Sequence, residues 1–287
     1  MNKIAFIGAG NMASAIISGL VSANTDASNI MVSNPSPEKR ERLAANFHIH
    51  QSSDNIEAAQ FADIIVLCVK PHFIVQVCQD IAQSVDITKK LFISVAAGTT
   101  VKQIQRALET CPQHKMTESD ARLKCPVVRV MPNTPSQIGL GMSGLFASKE
   151  VNQKQKTVAN ELLCAVGKVI WLNEEEQIND IIAVAGSAPA YFFLFMEAME
   201  KHAQTLGFSA KESRMLVQQT ALGAAQMVEK NDTDIRSLRE NVTSEGGATF
   251  AALEQFRHDN LDIIVKDAMN AAITRSQEMA KDSYKII

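Results

Sequence analysis

A doubly wound α/β domain followed by an all-helical one is the fold class this sequence predicts, and three observations predict it. An apolar strand at residues 3–7 runs through a glycine-bracketed turn, Gly8-Ala9-Gly10, into an amphipathic helix opening at Asn11-Met12. Apolar runs then alternate with helical stretches to about residue 173, the pattern of a mostly parallel sheet with helices on both faces. From Glu174 onward the strand signals stop and only helical patterns follow. The reading is a Rossmann-type, dinucleotide-binding domain over residues 1–173 and a helical domain for substrate and dimerisation over 174–287.

The elements follow in order. Residues 29–34 read as a second strand and 37–47 as a helix entered near Ser36, with Pro37 at its first position. Residues 62–69 are almost wholly apolar, as a parallel strand covered on both faces must be. Further strands are expected at 91–95, 127–131, 144–147 and 169–172. Helices are expected at 177–185, 189–206, 210–229, 235–240, 249–259 and 261–283. The stretch carrying Phe192, Phe193, Phe195, Met196 and Met199 is apolar on nearly all sides and needs burial. Too little chain surrounds it, so part of its cover is expected from a second subunit.

The first turn carries chemistry. Gly8 permits a tight turn, Gly10 lets the backbone approach a pyrophosphate, and Ala13 lets the helix pack closely on the strand. Unpaired N–H groups and the positive dipole end at the helix start favour an anion, which makes Gly8, Ala9, Gly10, Asn11 and Met12 candidate cofactor-binding residues. At the end of the second strand the acid that would bind a ribose 2′-hydroxyl is absent. Asn34, Ser36, Lys39 and Arg40 stand there instead, offering amide, hydroxyl and cationic groups suited to a 2′-phosphate and so to NADPH over NADH. A solvated helix face accounts for Lys39 and Arg40 equally well.

Three later strand ends carry small or turn-forming residues and together describe a shaped cleft. These are Val69-Lys70-Pro71, the run Ala96-Ala97-Gly98-Thr99, and Met131-Pro132-Asn133. The small residues around Gly98 leave room for a nicotinamide ring. A second anion site is expected in the helical domain, at Asn241-Val242-Thr243-Ser244-Glu245-Gly246-Gly247-Ala248-Thr249. Gly246 and Gly247 can present consecutive N–H groups and Thr249 can cap the helix that follows, which suits a carboxylate. A capped loop between helices is the competing reading.

Composition narrows the function classes. Over 287 residues, 46% are hydrophobic and 21% charged, so the chain can bury a sizeable core. The net charge of −3 supplies no basic footprint for nucleic acid or an anionic membrane surface. The N-terminus lacks the pattern of a secretory signal, and five cysteines without a CxxC fit reduced thiols, so the protein reads as cytoplasmic. The uncharged stretch 181–196 is shorter than the ~18 to 20 residues of a membrane span and contains Pro189, and is expected to be a buried helix. Cys111, His114 and Cys125 match no zinc spacing, and no metal site is expected. None of the six histidines lies in a nucleophile context, which removes hydrolase chemistry.

Five motifs in order carry a resemblance that spans nearly the whole chain. Ile7-Gly8-Ala9-Gly10-Asn11-Met12, Val69-Lys70-Pro71, Val128-Arg129-Val130-Met131-Pro132-Asn133-Thr134-Pro135, Gly186-Ser187-Ala188-Pro189-Ala190-Tyr191 and Val242 through Thr249 resemble the successive motifs of pyrroline-5-carboxylate reductases. The resemblance implies reduction of the cyclic imine 1-pyrroline-5-carboxylate to L-proline by NADPH or NADH, the last step of proline biosynthesis. It also implies a dimer with interwoven helical domains, often assembled into larger rings. By the same resemblance the substrate carboxylate is held by backbone amides between Asn241 and Thr249, and the Thr249 hydroxyl meets the ring nitrogen as the catalytic group. The chain departs from the family at Glu245, commonly Pro, at Ala188, commonly Gly or Ser, and in a longer, polar segment 111–124 read as an exposed loop. Glu245 brings a carboxylate near an anionic substrate.

Two rival functions are weighed. A β-hydroxyacid dehydrogenase resembles this layout, but such enzymes rely on a lysine in the first long helix of the second domain, and no lysine occurs between Lys168 and Lys201. A non-catalytic NADP-binding regulator needs the first anion site and not the second.

Overall fold

The computed structural model describes residues 2–109 and 125–284. The segment 111–124, with Cys111 and His114, lies outside the described residues. Eight strands form one sheet: β1 (Ile4–Ile7), β2 (Ile30–Ser33), β3 (His50–Ser52), β4 (Ile64–Leu67), β5 (Leu91–Ser94), β6 (Val127–Met131), β7 (Gly141–Ala147) and β8 (Gly167–Trp171). Their order is β3-β2-β1-β4-β5-β6-β7-β8, and every neighbouring pair is parallel except β6 with β7. The order reverses between β1 and β4, which is where such sheets open a ligand crevice at the strands' carboxyl ends.

The central strands are apolar on both faces because both faces are covered. One layer is α3 (Asn55–Phe61), α4 (Ile74–Ser84) and α5 (Val101–Leu108), packed through Ala58, Ile74, Ile81 and Ile104 onto Ile65, Leu67 and Phe92. The other is α1 (Asn11–Ser22), α2 (Pro37–Phe47) and α6 (Gln153–Cys164), packed through Ile16, Ile17, Leu43 and Leu163 onto Phe6, Val66 and Ile93. These are the two layers that the α/β alternation predicts.

The differences from the sequence reading are local. The strand β3 was not expected, because His50-Gln51-Ser52 is a short polar edge strand with two of its three side chains exposed. The helix expected at 177–185 is α7 (Gln177–Ile181) followed by a π-helical turn, Ile182–Gly186.

The remaining helices are α8 (Ala188–Thr205), α9 (Ala210–Lys230), α10 (Ile235–Asn241), α11 (Ala248–His258) and α12 (Leu261–Tyr284). The chain divides into two compact units, Met1–Ser187 with Ala272–Ile287, and Ala188–Ala271. This division falls elsewhere than the boundary at 173/174 read from the end of the strand signals. The Ser276 hydroxyl donates to Asn179 Oδ1 at 2.8 Å, one of the ties that returns the last helix to the first unit.

In the second unit the apolar helix α8 has no buried residue, and Phe192 is 69% and Leu194 68% exposed. The expectation of a buried helix is therefore not met within one chain. The stretch Gln177–Thr205 is also, by length and composition, long and apolar enough to cross a membrane.

Candidate active site

The cofactor candidates gather at the carboxyl ends of four neighbouring strands, β2, β1, β4 and β5. Gly8, directly after β1, has φ +107°, and a Cβ there would lie 2.9 Å from the backbone C and O of Cys68. Its N–H donates to Ser33 O at 2.8 Å, locking the turn to β2. Gly10 precedes α1 in an extended conformation, and a Cβ on it would enter open space. A ligand can therefore approach the Gly10 backbone more closely than any other residue type would allow. Ala13 is fully buried against the sheet. Burial pushes the neighbouring Cys68 thiol up to about 12, so no thiolate faces an anion here.

Asn34 links the first two strand ends. Its Oδ1 accepts from Ala9 N–H at 3.3 Å, and its Nδ2 donates to Ser36 O at 3.2 Å. Arg40 donates from Nη1 to the Asn34 and Pro35 carbonyls, both at 3.2 Å, and from Nε to Gln51 Oε1 at 2.9 Å. Arg40 thus shapes the loop after β2, while Lys39 and Ser36 stand exposed beside it. Lys70 is exposed after β4, and Val69 and Pro71 are half-buried. Sequence reasoning missed Asn55, whose Oδ1 accepts from the Ser33 hydroxyl at 2.7 Å at the end of β2.

A cleft of about 340 Å³ lies farther along the same edge, lined by Ala97, Gly98, Met131, Pro132, Ile182 and Gly186, with Arg275 and Ser276 at its rim. Gly98 has φ +77° and starts the turn into α5. Asn133 joins two walls: its Nδ2 donates to Ala185 O at 3.1 Å and its Oδ1 accepts from Met142 N–H at 2.9 Å. Ile182 and Gly186, the two ends of the π turn, are part of this wall, and such turns are frequent at functional sites.

The second candidate site is built differently. Gly246 has φ +69°, and the Gly247 N–H donates to Ser244 O at 3.0 Å. Consecutive free N–H groups on Gly246 and Gly247 were expected, and this turn uses the second of them. Thr249 does not cap α11 either; Gly247 is the cap residue and Thr249 sits inside the first turn. The Thr243 hydroxyl donates back to Arg239 O at 2.7 Å, closing α10. Asn241, Val242, Ser244, Glu245, Ala248 and Thr249 are exposed.

The helix starts separate into three classes. Asp54, Thr100, Asn152, Ser209 and Asp234 cap α3, α5, α6, α9 and α10 with their side chains. Helices α4 and α7 lack a side-chain cap but begin on the helical residues Phe73 and Glu176, whereas α1, α2 and α11 begin on the extended residues Gly10, Ser36 and Gly247 with none. Their first amides are left for solvent or for an anion, and the Ser36 hydroxyl is left for a ligand. These three starts are the pyrophosphate, 2′-phosphate and carboxylate candidates of the sequence reading. Among the described residues no three His, Cys, Asp or Glu side chains gather as a metal site.

Two protein-family models match the chain. One, described as NADP oxidoreductase, coenzyme F420-dependent, covers residues 3–98, and one, described as pyrroline-5-carboxylate reductase dimerisation, covers 175–279. A pyrroline-5-carboxylate reductase from Vibrio alginolyticus is 51% identical over 280 residues, 97% of this chain and 98% of that one. The chain belongs to the pyrroline-5-carboxylate reductase family. The solved pyrroline-5-carboxylate reductase from Coxiella burnetii superposes with a TM-score of 0.88 at 38% identity, covering 97% of this chain and 98% of that one. A pyrroline carboxylate reductase from Plasmodium falciparum, solved with NADP bound, superposes with a TM-score of 0.81 at 29% identity, covering the same shares.

Family membership accounts for the bare helices of the second unit. The dimerisation model covers α8 and α9, whose exposed Phe192, Phe193, Met215 and Leu222 need cover that one chain lacks. This pyrroline-5-carboxylate reductase homologue therefore self-associates and acts on a small molecule, and its first 98 residues match an NADP oxidoreductase model.

Proposed function

We propose that this chain reduces 1-pyrroline-5-carboxylate to L-proline, with NADPH as the preferred donor and NADH as an alternative. The observation that carries the reading is the trio of α-helix starts entered on an extended residue without a side-chain cap, at Gly10, Ser36 and Gly247, one for each anionic group of the two ligands.

The residues divide the work as follows. The α1 start, with Gly8, Ala9, Gly10, Asn11 and Met12, takes the pyrophosphate, and the Gly10 backbone allows it close. Asn34, Ser36, Lys39 and Arg40 take the 2′-phosphate, for which a lysine and a guanidinium supply charge and an uncommitted hydroxyl supplies a donor. Val69, Lys70, Pro71, Ala97 and Gly98 line the path toward the nicotinamide end. Bound NADPH supplies the hydride. The amides from Gly246 to Thr249, with Asn241 through Ser244 shaping the loop, hold the substrate carboxylate at the α11 start. The Thr249 hydroxyl, on the first turn of that helix, orients the ring nitrogen. The nitrogen gains one proton as the adjacent ring carbon gains the hydride, so orientation and proton supply suffice without a strong base.

Residues 1–173 hold the dinucleotide in this reading, and 174–287 hold the substrate and the second copy. The net charge of −3 and the cysteine spacing support a cytoplasmic enzyme without nucleic-acid or membrane partners. The apolar length of Gln177–Thr205 then belongs to self-association.

The test is oxidation of NADPH by purified protein with pyrroline-5-carboxylate, beside NADH and beside a 3-hydroxy acid with NADP. The expected result is imine turnover, faster with NADPH, and none with the hydroxy acid. No imine turnover with either nucleotide would sink the reading.

A further inference from the structure

Apart from Met131, the last residue of β6, the walls of the 340 Å³ cleft lie past the strands that support them. The β5–β6 register ends with Ser94 opposite Arg129, and past the last backbone bonds, at Val95 and Leu172, side chains join the turn at 95–100, β6 and the segment 172–186 to one another. One carboxylate oxygen joins all three. Glu175 Oε1 accepts from Val101 N–H, the first residue of α5, at 2.8 Å and from Arg129 Nη1 on β6 at 2.9 Å. The Arg129 side chain is 4% exposed and that of Glu175 20%.

Each bond also meets a local need, one at the first amide of α5 and one at the buried Arg129 guanidinium. The capping box of Thr100 and Gln103 satisfies their own two amides and leaves the Val101 amide to Glu175. A buried ion pair is a weak stabiliser, because desolvation offsets its Coulombic gain. This one is made at a further cost, since Arg129 Nε is buried with no partner. What the pair does accomplish is geometric. It fixes the start of α5, and so Ala97 and Gly98, against β6, and so Met131 and Pro132, from an anchor two residues before α7. Asn133 ties β6 to the π turn separately, so Glu175 supplies the tie that closes the third side of the cleft.

We propose that Glu175 is a positioning residue for hydride transfer, setting the width of the cleft through Arg129 and the Val101 amide. This rests on the cleft receiving the nicotinamide and the imine ring.

Glu175→Ala removes both bonds, and Glu175→Gln keeps an oxygen acceptor for both. In the Ala variant kcat with the imine is expected to fall ~10-fold or more while affinity for 2′,5′-ADP, which reports only the adenosine end, stays within about 2-fold. The primary isotope effect with NADPH deuterated at the transferred position is expected to rise, and the Gln variant to recover most of kcat. Because Glu175→Ala strands a buried charge, the double variant Arg129→Met, Glu175→Gln, neutral on both sides, is measured alongside. It keeps the amide bond and loses the tie to β6, and its kcat is expected to fall with 2′,5′-ADP binding intact.

A folded double variant with wild-type kcat and isotope effect would overturn the proposal. So would an Ala variant that loses 2′,5′-ADP affinity in proportion to kcat. Absence of imine turnover in the wild type overturns the functional reading and this proposal with it, and is told apart because it precedes any substitution.

Discussion

Two glycine turns open two helices in this protein, and they differ in what completes them. At Gly8 the turn is finished by its own chain: its N–H is bonded, the Cys68 backbone fills the space a Cβ would need, and α1 behind it buries Ala13, Ile16 and Ile17. At Gly246 nothing lies within reach of a Cβ, and α11 behind it has no buried residue. Both helices start without a side-chain cap, so both offer amides to an anion. The first turn is a preformed mould. The second is only an outline.

The largest way to break this comparison is Gly8→Ala. The φ of +107° and a 2.9 Å approach to backbone rather than to a flexible side chain predict a loss of ~3 kcal/mol or more. Thermal unfolding and nucleotide titration are expected to show both stability and NADPH binding reduced. Wild-type stability would mean that the mould is softer than its contacts imply.

Thr249→Ala removes the one hydroxyl proposed to meet the ring nitrogen. Steady-state kinetics are expected to show kcat/KM for the imine down roughly 10- to 100-fold with NADPH affinity nearly intact. Unchanged turnover would take Thr249 out of the chemistry. Gly246→Ala sharpens the contrast with Gly8. Its φ of +69° strains an Ala, but no atom is struck, so a loss of ~1 kcal/mol is expected, with any excess effect appearing in the imine KM.

The smallest test concerns how closed the first region is. Burial pushes the thiols of Cys68 and Cys78 up to about 12, while Cys164 is exposed. Mass spectrometry after brief alkylation at about pH 8.5 is expected to find Cys164 labelled well before Cys68 or Cys78. Early labelling of Cys68 would show that the turn opens readily.

The sequence was most legible where local pattern and global packing agree. The apolar runs at β1, β4, β5 and β6 announce a covered sheet, and Gly8-Ala9-Gly10 announces its first turn. Legibility failed where a feature is made by partners distant in the chain. Arg129 and Glu175 lie 46 residues apart; an arginine in the apolar run of β6 signals a buried partner, but nothing in the sequence names Glu175 as that partner. The strand β3 failed for the opposite reason: three polar residues follow the ladder of β2 without any periodicity of their own. The cap of α11 was misassigned to Thr249 because a hydroxyl is the commoner cap, whereas the chain enters on Gly247. The apolar ring around α8 was read correctly as needing cover, but a composition cannot say whose.

The return of the last helix to the first unit has a consequence for the order of events during synthesis. Asn179 emerges from the ribosome well before Ser276, and the bond between them cannot form until almost the whole chain has been made. The sheet and its first turn can therefore assemble early, as N-terminal segments generally do. The cleft acquires its rim at Arg275 and Ser276 only after the helical unit has been translated in full. In the proposed reading, the nascent chain therefore owns its nucleotide turn before the cleft assigned to hydride transfer is finished.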